Sequence, residues 1–128
     1  MNNRRIVVTG LGLVTPVGIG VDDFWKNLIS GVSGVDRSPA LMKSDCRCKV
    51  AGEVKDFHPE QWLARKDCKR TDRFTQIGIV AALLAAQDAR LQLEKENSER
   101  MGISMGMRLR NAVARSFSTR EFGRNCGA

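Results

Sequence analysis

The sequence predicts an α/β fold, because β-branched runs and helically spaced apolar residues occur along one short chain. Residues 6–9 (Ile-Val-Val-Thr) are all β-branched and are followed by Gly10, which is typical of a buried strand. Residues 74–85 repeat apolar side chains every three or four positions, which predicts a long helix. Residues 101–106 predict a second short apolar strand. With a helix near residue 24, the order strand, helix, helix, strand is that of an α/β fragment.

The elements between these follow from local signals. Asp22 and Asp23 place negative charge where a short amphipathic helix would begin, and Gly31 ends it. Residues 32–50 predict a loop, followed by a brief strand near residues 50–54. Pro59 is suited to the first turn of a short helix. The alanines in the centre of the long helix predict close packing against other backbone.

The size and composition predict one globular domain. The chain has 128 residues, 42% hydrophobic and 27% charged, which is ordinary for a folded protein and argues against disorder throughout. The four cysteines are too few and too irregularly spaced for a disulfide framework, so we expect a reducing, cytoplasmic location. The longest apolar run, residues 77–86, is too short to cross a membrane, and we expect no membrane partner.

The glycine-rich stretch at residues 10–18 predicts a structured turn. Gly10-x-Gly12 after a strand is also the beginning of a dinucleotide-binding fingerprint. The fingerprint fails because Thr15 stands where its last glycine belongs and Pro16 follows. We therefore favour a turn with a purely structural role and expect no cofactor.

The cysteines and the histidine do not form a convincing metal or nucleophilic site. Cys46 and Cys48 could supply two thiolates, but structural zinc takes four ligands and the only histidine, His58, has no matching pair. Cys126 has the residue type of a nucleophile, which would need a base to lower its pKa, and His58 is the only histidine available. We expect no metal and no catalytic residue in this chain.

A basic cluster at residues 65–73 is the most informative constellation. Four of its cations are spaced at i, i+3, i+4 and i+7: Lys66, Lys69, Arg70 and Arg73. In a helix they would share one face. Cations near a helix N-terminus oppose the helix dipole, so an anionic partner is one explanation. The alternative is a solvated helix start balanced in part by Asp67 and Asp72, and spacing alone favours that alternative.

The remaining basic charge is concentrated at the end of the chain. Of the formal net charge of +7, residues 107–128 contribute +4, from five arginines and one glutamate. This tail lacks a convincing helix or strand period, so it is predicted to be an atypical basic segment. Nucleic-acid binding is an alternative function for a small basic protein. We rank it below a protein partner, because only Phe117 and Phe122 could provide aromatic stacking in the tail.

Three stretches together resemble the β-ketoacyl-acyl carrier protein synthases, especially their type II members. They are the run from Arg4 to Gly18, Phe24-Trp25 with Ser30-Gly-Val-Ser-Gly34, and Arg65-Lys-Asp…Asp72-Arg-Phe74. The likeness covers about residues 1–106, which would form the N-terminal part of a β-ketoacyl synthase domain. It implies a thiolase-like layered α/β fold, of which this chain is the incomplete opening part. It also implies a homodimer, while dimerisation of this part alone stays open.

The resemblance implies decarboxylative condensation of malonyl-acyl carrier protein with an acyl chain held on a cysteine. It further implies that basic residues leading into the long helix receive the acidic carrier protein. In this sequence they are Lys66, Lys69 and Arg70, with Arg65 as a weaker candidate, and the resemblance turns the balance in favour of carrier docking. The family's catalytic cysteine and two histidines would follow beyond this chain, so we expect it to be inactive alone.

The likeness stops abruptly after Gly106. A shifted reading frame would produce such a break, so we treat a frameshift within residues 107–128 as a hypothesis. The gene sequence would refute it if no single shift restored the family pattern.

Overall fold

A computed structural model describes residues 5–43, 45, 47–92 and 95–106. The helices and strands follow in chain order: α1 (Val21–Ile29), β1 (Asp36–Arg37), α2 (Pro39–Met42), β2 (Val50–Ala51), a 3-10 helix (Pro59–Gln61), α3 (Arg65–Arg70), α4 (Arg73–Asp88) and a second 3-10 helix (Ser98–Arg100). The basic tail, Cys46 and Cys126 lie outside the described residues.

The core is built around one side of α4. Ile79, Val80 and Leu83 are buried on this helix, and Phe57 and Leu63 from the preceding segment pack with them. These apolar side chains recur at helical spacing, which is why α4 forms where the sequence predicts it. The prediction of a long helix is confirmed. Its length of 16 residues is the largest among the described helices, none of which is long and apolar enough to cross a membrane.

The glycine-rich stretch lies across α4 and turns sharply. A β-carbon on Gly12 would collide with the backbone of α4 at Ala81, so the two backbones touch directly. In the turn, the Thr15 hydroxyl donates to the Gly18 carbonyl at 2.9 Å, and Thr15 and Gly18 exchange backbone hydrogen bonds. The predictions of a structured turn and of close backbone packing on the alanines of α4 are confirmed. The contact is possible because Gly12 has no β-carbon.

Two predicted strands do not form. Residues 6–9 have no neighbouring strand among the described residues, and Ile6 is 96% exposed. Residues 101–106 likewise form no regular element. The prediction was wrong because β-branched composition is only a propensity, whereas a strand requires a second chain segment to complete its backbone hydrogen bonds.

The sheet that does form is small and lies elsewhere. β1 and β2 pair antiparallel, with Asp36 opposite Ala51 and Arg37 opposite Val50. The brief strand predicted near residues 50–54 is therefore confirmed only at its first two residues. Its partner β1 and the helix α2 lie within residues 32–50, where the sequence predicted a loop.

The shorter helices agree better with the sequence. α1 begins directly before Asp22 and ends at Ile29, as predicted, although its apolar face is largely open, with Trp25 60% exposed. The helix predicted at Pro59 is a single 3-10 turn. Phe57 and Trp62 stack across this turn with ring centroids 6.3 Å apart, so the turn joins the core to α3.

Candidate functional site

The basic residues predicted as a docking surface lie on α3. Lys66, Lys69 and Arg70 occupy positions i, i+3 and i+4 of this helix, so one helical face carries all three. Arg65 begins the helix, one position before Lys66. All four side chains are exposed, and we refer to them as the α3 cations.

The α3 cations have no anionic partner within the part of the chain that the structure describes. Its two ion pairs are Lys55 with Asp36 and, when the histidine is protonated, His58 with Glu60. The suggested balancing of charge by Asp67 and Asp72 therefore does not occur through direct ion pairs among described residues. The α3 cations leave a concentrated positive charge at the surface.

The predicted basic face does not continue to Arg73. α3 ends at Arg70, and the next residue, Thr71, has extended backbone with φ −118° and ψ 144°. α4 then begins a new helix at Arg73. The shared face was conditional on one helix through residues 66–73, and that condition fails because two extended residues, Thr71 and Asp72, break the helical register.

Arg73 is exposed but makes contacts within the fold. Its guanidinium donates a hydrogen bond to the Val54 carbonyl at 2.8 Å and lies 5.3 Å from the centre of the Phe57 ring. Both contacts tie the start of α4 to the segment that precedes the 3-10 turn. Arg73 is thus a structural cation, while the α3 cations are free to meet a partner.

Because α3 ends at Arg70, its cations lie at both ends of the helix dipole. Lys69 and Arg70 lie in the last turn of α3, where the helix dipole favours positive charge. Only Arg65 and Lys66 lie at the unfavourable N-terminal end, and Asp67 is close to them in the first turn. The dipole therefore opposes two of the four cations.

α3 is fastened to the core by its inner side. Cys68 is partly buried against the core cluster, and its thiol points to the Leu63 carbonyl at 3.8 Å. The Thr71 hydroxyl donates to the Asp67 carbonyl at 2.7 Å. The side-chain amide of Gln76 on α4 donates to two carbonyls, that of Cys68 at 2.8 Å and that of Thr71 at 2.9 Å. The inner side is thus bonded while the cations face outward.

Gln76 is the residue that sequence reasoning missed at this site. It is a buried polar side chain, three, four and seven residues before the buried Ile79, Val80 and Leu83. A polar residue on the apolar side of a helix is the signal that could have identified it, because a buried amide requires hydrogen-bond partners.

The other candidates do not come together. His58 is exposed, with its Nδ1 3.7 Å from a carboxylate oxygen of Glu60. Cys48 is an exposed free thiol, and Cys68 faces the core. Within residues 5–43, 45, 47–92 and 95–106, no group of three or more His, Cys, Asp or Glu side chains could hold a metal ion.

The family model of the β-ketoacyl synthase N-terminal domain matches residues 3–124 of the chain. Among curated relatives, the chain is 39% identical to the 3-oxoacyl-[acyl-carrier-protein] synthase 2 of Synechocystis sp. over 106 residues, which is 83% of this chain and 26% of that protein. It is 38% identical to the Staphylococcus aureus (strain COL) protein of the same name over 104 residues, 81% of this chain and 25% of that protein. The chain thus spans about a quarter of the length of these relatives.

Solved structures give the same family. The ishigamide ketosynthase/chain length factor aligns with a TM-score of 0.61 at 30% identity, covering 69% of this chain and 22% of that one. A chain from a type II PKS acyl-carrier protein in complex with its ketosynthase aligns with a TM-score of 0.56 at 32% identity, covering 76% and 22%. These ketosynthase neighbours confirm the predicted thiolase-like α/β fold, of which the chain holds a part. The chain belongs to the β-ketoacyl synthase family and carries sequence of its N-terminal domain.

Proposed function

We propose that α3 is a docking surface for an acidic acyl carrier protein and that the chain serves β-ketoacyl synthesis through it. The observation that carries the proposal is the set of four exposed α3 cations without anionic partners among the described residues. The relatives' names include the acyl carrier protein, and one solved neighbour is a type II PKS acyl-carrier protein in complex with its ketosynthase.

The chemistry of the surface suits such a partner. Lysine ammonium groups are compact charges on flexible stems, and they attract carboxylates without demanding one fixed geometry. Exposed charges of this kind act mainly by accelerating the encounter with an oppositely charged protein. The carboxylates of an acidic carrier protein would meet Lys66, Lys69 and Arg70 on one face of α3.

The reaction served would be decarboxylative condensation of malonyl-acyl carrier protein with an acyl thioester. We propose that this chain does not perform the condensation alone. Its single histidine, His58, is exposed with its Nδ1 3.7 Å from a Glu60 carboxylate oxygen, and neither of the described cysteines, Cys48 and Cys68, pairs with it. An assay for malonyl decarboxylation by the purified chain should therefore show no turnover.

The remaining proposals concern organisation and location. We propose that residues 1–106 form the synthase-like part and that residues 107–128 are a separate basic tail. The chain would work in the cytoplasm, since four irregularly spaced cysteines are typical of a reducing compartment.

The test is a binding titration of the full 128-residue chain with purified acyl carrier protein. The double variant Lys66→Glu and Lys69→Glu should weaken binding by about tenfold or more, equivalent to about 1.4 kcal/mol. The matched control is Lys26→Glu with Lys95→Glu, which makes the same change in net charge at exposed lysines on other segments. The affinity of that control should be within about twofold of that of the unmodified chain, because exposed charges away from the contact contribute little to binding.

Two results would overturn the proposal. Equal weakening by both double variants would show that only net charge matters. Tighter binding to duplex DNA than to carrier protein, falling steeply with salt and lost when the tail arginines are replaced, would instead support the nucleic-acid alternative.

A further inference from the structure

Gln76 connects the two helices on either side of the break at Thr71. It lies in the first turn of α4, with its backbone N–H bonded to the Asp72 carbonyl at 3.0 Å. Its side-chain amide reaches back across the break and donates one hydrogen bond to the Cys68 carbonyl of α3 and one to the Thr71 carbonyl. Both amide protons of the side chain are therefore used.

These bonds satisfy groups that would otherwise lack partners. The last four carbonyls of a helix have no partner within that helix, and the Cys68 carbonyl is one of them in α3. Gln76 is 8% exposed, so its own amide is largely withdrawn from water. Leaving a buried amide without hydrogen-bond partners costs folding free energy. The position of α3 is therefore coupled to that of Gln76.

α3 depends on such a tie because it is very short. Its six residues are well below the length at which an isolated helix is stable in water, about 12–15 residues. Its N-cap, Ala64, provides no side-chain hydrogen bond. Its orientation is therefore set by contacts of its inner side, chiefly Cys68 against the core and Gln76 at its end.

We propose that Gln76 is the positioning residue of the α3 surface, fixing the direction in which Lys66, Lys69 and Arg70 point without touching the carrier protein. Loss of its two hydrogen bonds lets α3 move relative to α4, so the cations no longer line up with the partner's carboxylates. This inference rests on the proposed docking function for its consequence, but its structural part can be tested separately.

The structural test uses NMR on the full chain. In the unmodified protein, the side-chain amide protons of Gln76 should exchange with solvent at least about tenfold more slowly than those of Gln87, an exposed glutamine on the same helix. In Gln76→Leu, the backbone amides of Cys68 and Thr71 should exchange about tenfold faster, while the amides of Val80 and Leu83 change by less than about twofold. The control Gln87→Leu should leave the exchange rates of all four backbone amides unchanged. Equal exchange of the two side-chain amides in the unmodified protein would overturn the proposal even if no variant folds.

The functional test is a double-mutant cycle with carrier protein. Gln76→Leu should weaken carrier binding about fivefold in the unmodified chain, and by less than about twofold in the Lys66→Glu, Lys69→Glu background, where the surface is already lost. Equal weakening in both backgrounds would contradict positioning through the cations. A carrier protein that fails to bind the unmodified chain would refute the docking function, while the exchange measurements would still decide the role of Gln76 in holding α3.

Discussion

The α-carbon of Gly12 lies directly against the backbone of α4 at Ala81, with no room for a β-carbon between them. The N–H of the neighbouring Leu11 donates a hydrogen bond at 2.8 Å to the carboxylate of Asp88, the last residue of α4. The irregular N-terminal segment is thus held against the helix that supports α3. This backbone-to-backbone contact depends on the absence of a side chain at position 12.

Gly12→Ala should therefore destabilise the fold. Inserting a methyl group at this contact forces the two backbones apart, and overpacking of this kind costs about 1–3 kcal/mol. Urea unfolding measures the change. Gly102→Ala is the control, since a β-carbon there meets open space, and it should change the free energy of unfolding by less than about 0.5 kcal/mol. Equal stability of the two variants would contradict the packing described here.

Replacing Arg73 should lower stability but not carrier affinity, and replacing Arg70 should do the reverse. Arg73→Gln removes the hydrogen bond to Val54 and the contact with the Phe57 ring, so we expect a loss of about 1–2 kcal/mol in unfolding free energy with carrier affinity of the folded fraction unchanged. Arg70→Gln should leave stability within about 0.5 kcal/mol and weaken carrier binding. Thermal unfolding and titration of both variants test this. Equal loss of carrier binding in Arg73→Gln and Arg70→Gln, with stability unchanged in both, would restore the single-face interpretation.

Salt should act on the rate of carrier association. Because the α3 cations are exposed, raising ionic strength from about 0.05 to about 0.5 M should slow association by about tenfold while changing dissociation little. Stopped-flow mixing measures both rates. The Lys66→Glu, Lys69→Glu variant should show a much flatter salt dependence, and an unchanged slope would place the electrostatic contact elsewhere.

The ion pair between Asp36 and Lys55 should shift the pKa values of its two members in opposite directions. The Lys55 ammonium donates a hydrogen bond to the Asp36 carboxylate at 2.6 Å and, with the Arg37 N–H, holds the pKa of Asp36 below its ordinary value of 3.8. The same bond raises the pKa of Lys55 above 10.5. The stabilisation from Asp36 is present above 3.8 and is lost as the pH falls through its lowered pKa. That from Lys55 is present below 10.5 and is lost as the pH rises through its raised pKa.

An NMR titration of the Asp36 carboxyl carbon checks this pair. Its midpoint should lie below 3.8 in the unmodified chain and move upward toward that value in Lys55→Met. An unchanged midpoint in the variant would show that the backbone N–H of Arg37 accounts for the shift.

The sequence predicted those features of the fold that depend on residues close together in the chain. α4, the turn at Thr15 and the exposure of Lys66, Lys69 and Arg70 follow from apolar spacing, glycine and proline positions, and charge. The break at Thr71 could not be read from spacing, because residues 65–73 fit one helix equally well. The structure shows the break in the extended backbone of Thr71 and Asp72, and the Gln76 amide spans it with bonds to the carbonyls of Cys68 and Thr71.

The predicted strands failed for a related reason. Whether residues 6–9 become a strand depends on a neighbour that no local pattern describes. Among the described residues, β1 and β2 pair only with each other. The division at residue 106 stays a prediction, and the family match continues to residue 124.

The exposure of Ile6, Val7 and Val8 has a practical consequence for handling the protein. These are three consecutive β-branched apolar residues whose backbone groups have no hydrogen-bond partner among the described residues. Such a segment is a template to which other extended chains can add, which is how ordered aggregates begin. Precipitation should therefore rise with protein concentration. A lysine in place of Val7 would act as a gatekeeper that keeps such segments apart.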